Sequence, residues 1–167
     1  MRRLLALTSA SLSLVCAACG GEEDEAPLQQ LQDTRASVTG SHPVVMTTHS
    51  ARMLEPLLPA RPTLELTSEV GSRDGLRVSL APFDCDLTAT MTGASTFALN
   101  AGSCSLLIPP QEGRFACSIR LHIAEGTGGR ETAESRVGVT FDADYVQQCA
   151  EDDGPSTTRV FVTLEGE

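Results

Sequence analysis

The chain has 167 residues, with 22 Asp and Glu against 12 basic residues and a formal net charge of −10. Such an acidic chain repels phosphate backbones, which argues against nucleic acid as a partner. Five Phe, one Tyr and no Trp leave few aromatic platforms for stacking bases or sugars. An apolar fraction of 41% with 14 Gly and 9 Pro fits one folded domain with a tail.

The N-terminus comes first. Arg2 and Arg3 precede an uncharged apolar run from Leu4 to Val15, followed by the small residues Ala17 and Ala18 before Cys19. That is the three-part layout of an export signal. The run is too short for a helix to cross a bilayer, which needs about 20 residues. The stretch Val15-Cys16-Ala17-Ala18-Cys19-Gly20 resembles the lipobox of bacterial lipoprotein precursors. Ala17, Ala18 and Cys19 match that motif; Cys16 stands where the family usually has Leu. The resemblance implies cleavage before Cys19, a diacylglyceryl thioether on its sulfur and a fatty acyl chain such as palmitate on its amino group. It therefore implies a signal peptide over 1–18, and attachment to the cell envelope. Gly20 occupies the position where Asp is associated with inner-membrane retention, so the resemblance points to the outer membrane of a Gram-negative cell. Two acyl chains suffice for stable anchoring.

Cysteine parity agrees. Cutting before Cys19 leaves Cys19, Cys85, Cys104, Cys117 and Cys149. A lipid on Cys19 leaves four thiols, enough for two disulfides in an oxidising compartment. The Cys-x-x-Cys of residues 16–19 straddles the cut and is not read as a redox pair. The acidic run GGEEDEAP after it solvates and repels itself. Residues 19–42 are thus expected to be a lipid-anchored flexible tether, and 43–167 the folded domain.

That domain reads as strands. PVVMTT (43–48) is a short β run. Pro56, Pro59 and Pro62 suggest an extended connection. Thr63–Val70 and Gly75–Leu80 alternate apolar and polar residues around a Gly71–Gly75 turn. In the next hairpin a Gly93-Ala94-Ser95 loop pairs Met91 with Phe97 and Ala89 with Leu99. A bulge at Gly102 would then place Cys104 across from Cys85, which favours a Cys85–Cys104 disulfide. Phe115, Cys117, Ile119, Leu121 and Ile123 mark one face of a further strand. A turn centred on Gly128 would set Ile119 against Val137, Cys117 against Val139 and Phe115 against Phe141, with His122 opposite Glu134. Cys149 remains as the partner of Cys117, in a segment 144–149 that reads as a short helical turn. A last strand runs from Thr158 to Leu164. Single Phe residues at 83, 97, 115, 141 and 161 are expected to fill a core. About eight such strands predict an all-β fold, an antiparallel β-sandwich, immunoglobulin-like or similar, with two disulfides.

Chemistry-bearing clusters are sparse. His42, His49 and His122 fall in no zinc spacing. Asp142, Asp144, Asp152 and Asp153 are the best hard-oxygen candidates for calcium, though the spacing lacks the Gly and Glu of an EF-hand loop. No nucleophile elbow or phosphate loop is present, and no cofactor is expected. The function expected is that of a lipid-anchored binding or structural module whose partner is another envelope protein, met through an exposed strand edge. The alternative is a small secreted hydrolase with a Ser/His/Asp site assembled in space, built on His42 or His49.

Overall fold

A computed structural model of the protein describes residues 33–50, 58–112 and 115–167. The expected signal peptide, Cys19 and most of the expected tether lie outside those residues. Among the described residues nine strands follow in order: β1 (Gly40–Ser50), β2 (Thr63–Ser68), β3 (Gly75–Ala81), β4 (Asp84–Met91), β5 (Thr96–Leu99), β6 (Gly102–Ile108), β7 (Cys117–Gly129), β8 (Gly138–Cys149) and β9 (Ser156–Gly166). Each pairs antiparallel with its sequence neighbour or the next in line, and β9 returns to β1 with Val44 opposite Gly166 and Ser50 opposite Val160. The short strands β5 and β6 both lie between β4 and β7. Nine strands with two sharing one place give eight places around a closed ring.

The sheet is therefore an up-and-down barrel, and the expected sandwich is corrected. Period-two alternation gives every strand one apolar face but does not say whether those faces meet across two sheets or within one closed sheet. Pairing of the first strand with the last decides it. One side of every strand turns inward: Leu64 and Leu66 on β2, Leu76, Val78 and Leu80 on β3, Phe97 and Leu99 on β5, Val160, Val162 and Leu164 on β9 are all buried. The outer wall carries Thr, Ser, Asp, Glu and Arg at the alternate positions. That is the reverse of a membrane-spanning barrel, whose lipid-facing side is apolar. Closure also pairs the strand edges, so a strand-edge docking mode has little free edge to use.

The β4 to β6 segment follows the expected register. Ala89 faces Leu99 and Met91 faces Phe97. The ladder then slips by one, so that Cys85 faces Cys104, and the two are bonded. The β7–β8 hairpin does not follow it. Cys117 faces Cys149 and is bonded to it, Leu121 faces Tyr145, and His122 faces Asp144, not Glu134. The Gly-rich stretch 126–129 is strand and the turn lies beyond it, at 130–137. The expected helical turn at 144–149 is the end of β8. Gly126 and Gly128 look inward, where a Cβ would lie 2.7 Å from Phe141 Cβ and 2.6 Å from Phe97 Cε2, respectively. These glycines make room for two rings; they do not turn the chain. A register shift at Ile123/Glu125 moves the inward face from odd positions to even ones. Phe83, Phe97 and Phe141 fill the core as expected, whereas Phe115 and Phe161 are 51% and 43% exposed.

The loops alternate between two ends. The entry segment 33–39 shares one end with the loops 69–74, 92–95 and 130–137. A short 3-10 turn, Thr34–Ser37, opens there, capped by the Asp33 side chain. The folded unit thus reaches back beyond residue 43: Val38 is fully buried in the core. Arg35 ties the turn down. Its guanidinium makes a two-pronged contact to Asp33, at 2.8 Å for each nitrogen, and donates to the carbonyls of Glu69 (3.1 Å) and Ser72 (2.7 Å). Ser37 Oγ reaches Ala94 O at 2.7 Å. This end is closed.

Candidate functional site

Among the described residues, the opposite end carries residues 81–84, 109–112, 115–116 and 150–155. Two recesses open around the strand ends that gather there from β6, β7 and β8. The first is a pocket of about 350 Å³ lined by Ile108, Pro109, Gln111, Phe115, the Cys117–Cys149 disulfide, Glu151 and Asp152. The disulfide joins directly opposed residues, so it forms a fixed wall between the two strand ends. The β6–β7 pairing stops at Ile108 and Cys117, and neither Pro109 nor Pro110 can donate to a continued ladder. Phe115 lines the pocket and is 51% exposed. Asp152 Oδ2 accepts from the Cys149 backbone nitrogen at 2.7 Å, which fixes the loop that carries Glu151. The pocket is thus apolar on its floor and walls and acidic on one rim.

The second recess, of about 340 Å³, lies on the outer wall beside the first and includes Ser105, Leu107, Ser118, Arg120, His122 and Gln148. Leu107 is 73% exposed and lines this second recess, one residue before Ile108 of the pocket. Sequence reasoning missed both Leu107 and the pocket. The signal was Leu106-Leu107-Ile108: three apolar residues in a row cannot all face inward at a period of two.

The residues singled out from sequence are dispersed. His42 Nε2 donates to Val38 O at 2.8 Å near the closed end. His49 lies roughly 23 Å further along β1, on the outer wall opposite Phe161. Neither shares a recess with a Ser and an Asp. His122 does stand between Ser103 and Asp144 in the ladder, but no hydrogen bond joins the three, and Asp144 is engaged by Arg159 at 3.3 Å. Asp142 faces the same arginine at 3.9 Å, and Asp152 holds a turn. The four calcium candidates are therefore not gathered at one point, and among the described residues no group of three or more His, Cys, Asp or Glu is placed to hold a metal.

No protein-family model, curated protein or solved structure matches the chain.

Proposed function

We propose that this is a lipid-anchored cell-envelope protein whose barrel binds a protein partner at the end remote from its N-terminal attachment. The observation that carries this reading is the asymmetry of the two ends. The chain enters at the end that Arg35 and Val38 close, and the apolar pocket with its exposed Phe115 opens at the other. The segment that would lead back to an anchor on Cys19 joins the barrel at the closed end and not at the pocket. The barrel interior is packed with Leu, Val, Ile and Phe side chains, which favours recognition on the outside over carriage of a ligand within. Both disulfides suit an oxidising compartment.

Envelope fractionation of the wild type against Cys19→Ala tests the anchor. Wild type should remain with membranes after a high-salt wash, and the variant should be released. Equal membrane retention of both proteins overturns the lipid attachment.

A further inference from the structure

We propose that the pocket beside the Cys117–Cys149 disulfide takes a peptide segment in which apolar side chains alternate with Arg or Lys. The proposal rests on the reading above that this end of the barrel binds a protein.

Three features define the occupant. The first is size. A recess of about 350 Å³ lies at the small end of ligand-binding cavities and suits one or two apolar side chains. The second is the apolar surface outside it. Leu107, on the outer side of β6, and Phe115, just before β7, are 73% and 51% exposed. A small molecule filling the pocket would leave Leu107 in water, whereas an extended peptide can cover both. Large side chains seated in a dry pocket are the residues that dominate such contacts.

The third feature is charge. Among the described residues the pocket lining contains Glu151 and Asp152 and no basic side chain, and Glu112 and Asp153 are exposed in the same two loops; Arg114 lies outside the described residues, so the two loops carry four acids against one arginine. Opposite charge on the partner steers encounter and fixes register. Like charge excludes two other occupants. A second copy docked face to face would oppose the two acidic rims, since a two-fold contact uses the same patch on both molecules. The chain's own run Glu22-Glu23-Asp24-Glu25 is acidic as well.

The test is a fluorescence-anisotropy titration of the full-length lipidated protein in nanodiscs of zwitterionic phosphatidylcholine. The probe is fluorescein-labelled Gly-Arg-Phe-Arg-Leu-Arg-Gly. Companion peptides replace Arg by Glu, or Phe and Leu by Ala, and empty nanodiscs supply the background. Saturable binding of the first peptide alone is expected, weakening as salt is raised. Phe115→Ser, a half-exposed position whose change leaves the core intact, should weaken it about tenfold or more. Glu151→Gln should weaken it about threefold and flatten the salt dependence. Equal binding of the acidic peptide, indifference to Phe115→Ser, or no peptide binding while naphthalene binds would each overturn the proposal. The last outcome would make the recess a small-molecule site. A protein that proves unlipidated can be titrated in the same way in solution, so the anchor and the peptide specificity fail separately.

Discussion

Gly128 on β7 lies directly beneath the ring of Phe97 on β5. The two are cross-strand partners, and a Cβ on Gly128 would come within 2.6 Å of Phe97 Cε2 and 2.9 Å of Val139 Cγ2. On the same strand Gly126 faces Phe141 of β8, where an added Cβ would lie 2.7 Å from Phe141 Cβ. Glycine at 128 leaves room for the Phe97 ring, and glycine at 126 for the root of the Phe141 side chain and for Leu99.

Gly128→Val should therefore destabilise the barrel by on the order of 3 kcal/mol, because the added methyls meet a ring that has nowhere to move. Gly154→Ala is the control, with nothing within 4 Å of the new Cβ. It should change stability by less than about 0.5 kcal/mol. Urea unfolding followed by circular dichroism reads both.

The five Phe residues should divide in the same assay. Phe141→Ala removes a buried ring (3% exposed) and should cost about 3–5 kcal/mol. Phe161→Thr changes a half-exposed ring on the outer wall of β9 and should stay within about 0.5 kcal/mol.

Removing the Cys117–Cys149 bond by the double change to Ser should cost about 3–4 kcal/mol in the chain-entropy view, since the bond closes a span of 32 residues. The Cys85–Cys104 bond spans 19 and should cost slightly less. Both effects should appear as a lower urea midpoint, with the Cys117–Cys149 change also loosening the walls of the pocket.

Acid should release the entry segment before the barrel unfolds. The hydrogen bonds from Arg35 hold the Asp33 carboxyl below its ordinary pKa. Because the folded value is the lower one, the linked stabilisation is complete above the ordinary carboxylate range, about pH 4, and is lost as pH falls through the depressed value. Hydrogen exchange at Val38 and Thr39, whose amides bond to Arg35 O at 3.0 and 2.9 Å, should quicken over that interval. Arg35→Ala should give the quicker exchange at neutral pH, and Asp33→Asn should abolish the acid step.

How much of this was legible beforehand follows the range of each interaction. The Met91–Phe97 and Ala89–Leu99 pairs, and the slip that brings Cys104 to Cys85, could be read because a three-residue loop sets the register of neighbouring strands. Closure into a barrel depends on contacts such as Met46 with Leu164, far apart in sequence, and no local pattern records them. The GTGG stretch misled for a chemical reason: glycine serves a tight turn and a close approach equally well, and only the positions of Phe97 and Phe141 in space decide between them. Moving the turn moved every pair on β7 and β8 with it. The exposed Leu107 left its trace in the three consecutive apolar residues 106–108, a break in alternation whose meaning needed the fold. The proposed lipid anchor rests on residues 15–20, a local motif independent of the barrel.

The most direct measurement of a binding role at the far end is photo-cross-linking in intact cells. A benzophenone amino acid is placed at position 115 beside the pocket, or at position 70 on the closed end, where Val70 is 98% exposed. A discrete protein adduct from position 115, absent from position 70 and lost on Glu151→Lys, is the expected result. No adduct from position 115, or the same adducts from both positions, would contradict a partner-binding surface at the open end of the barrel.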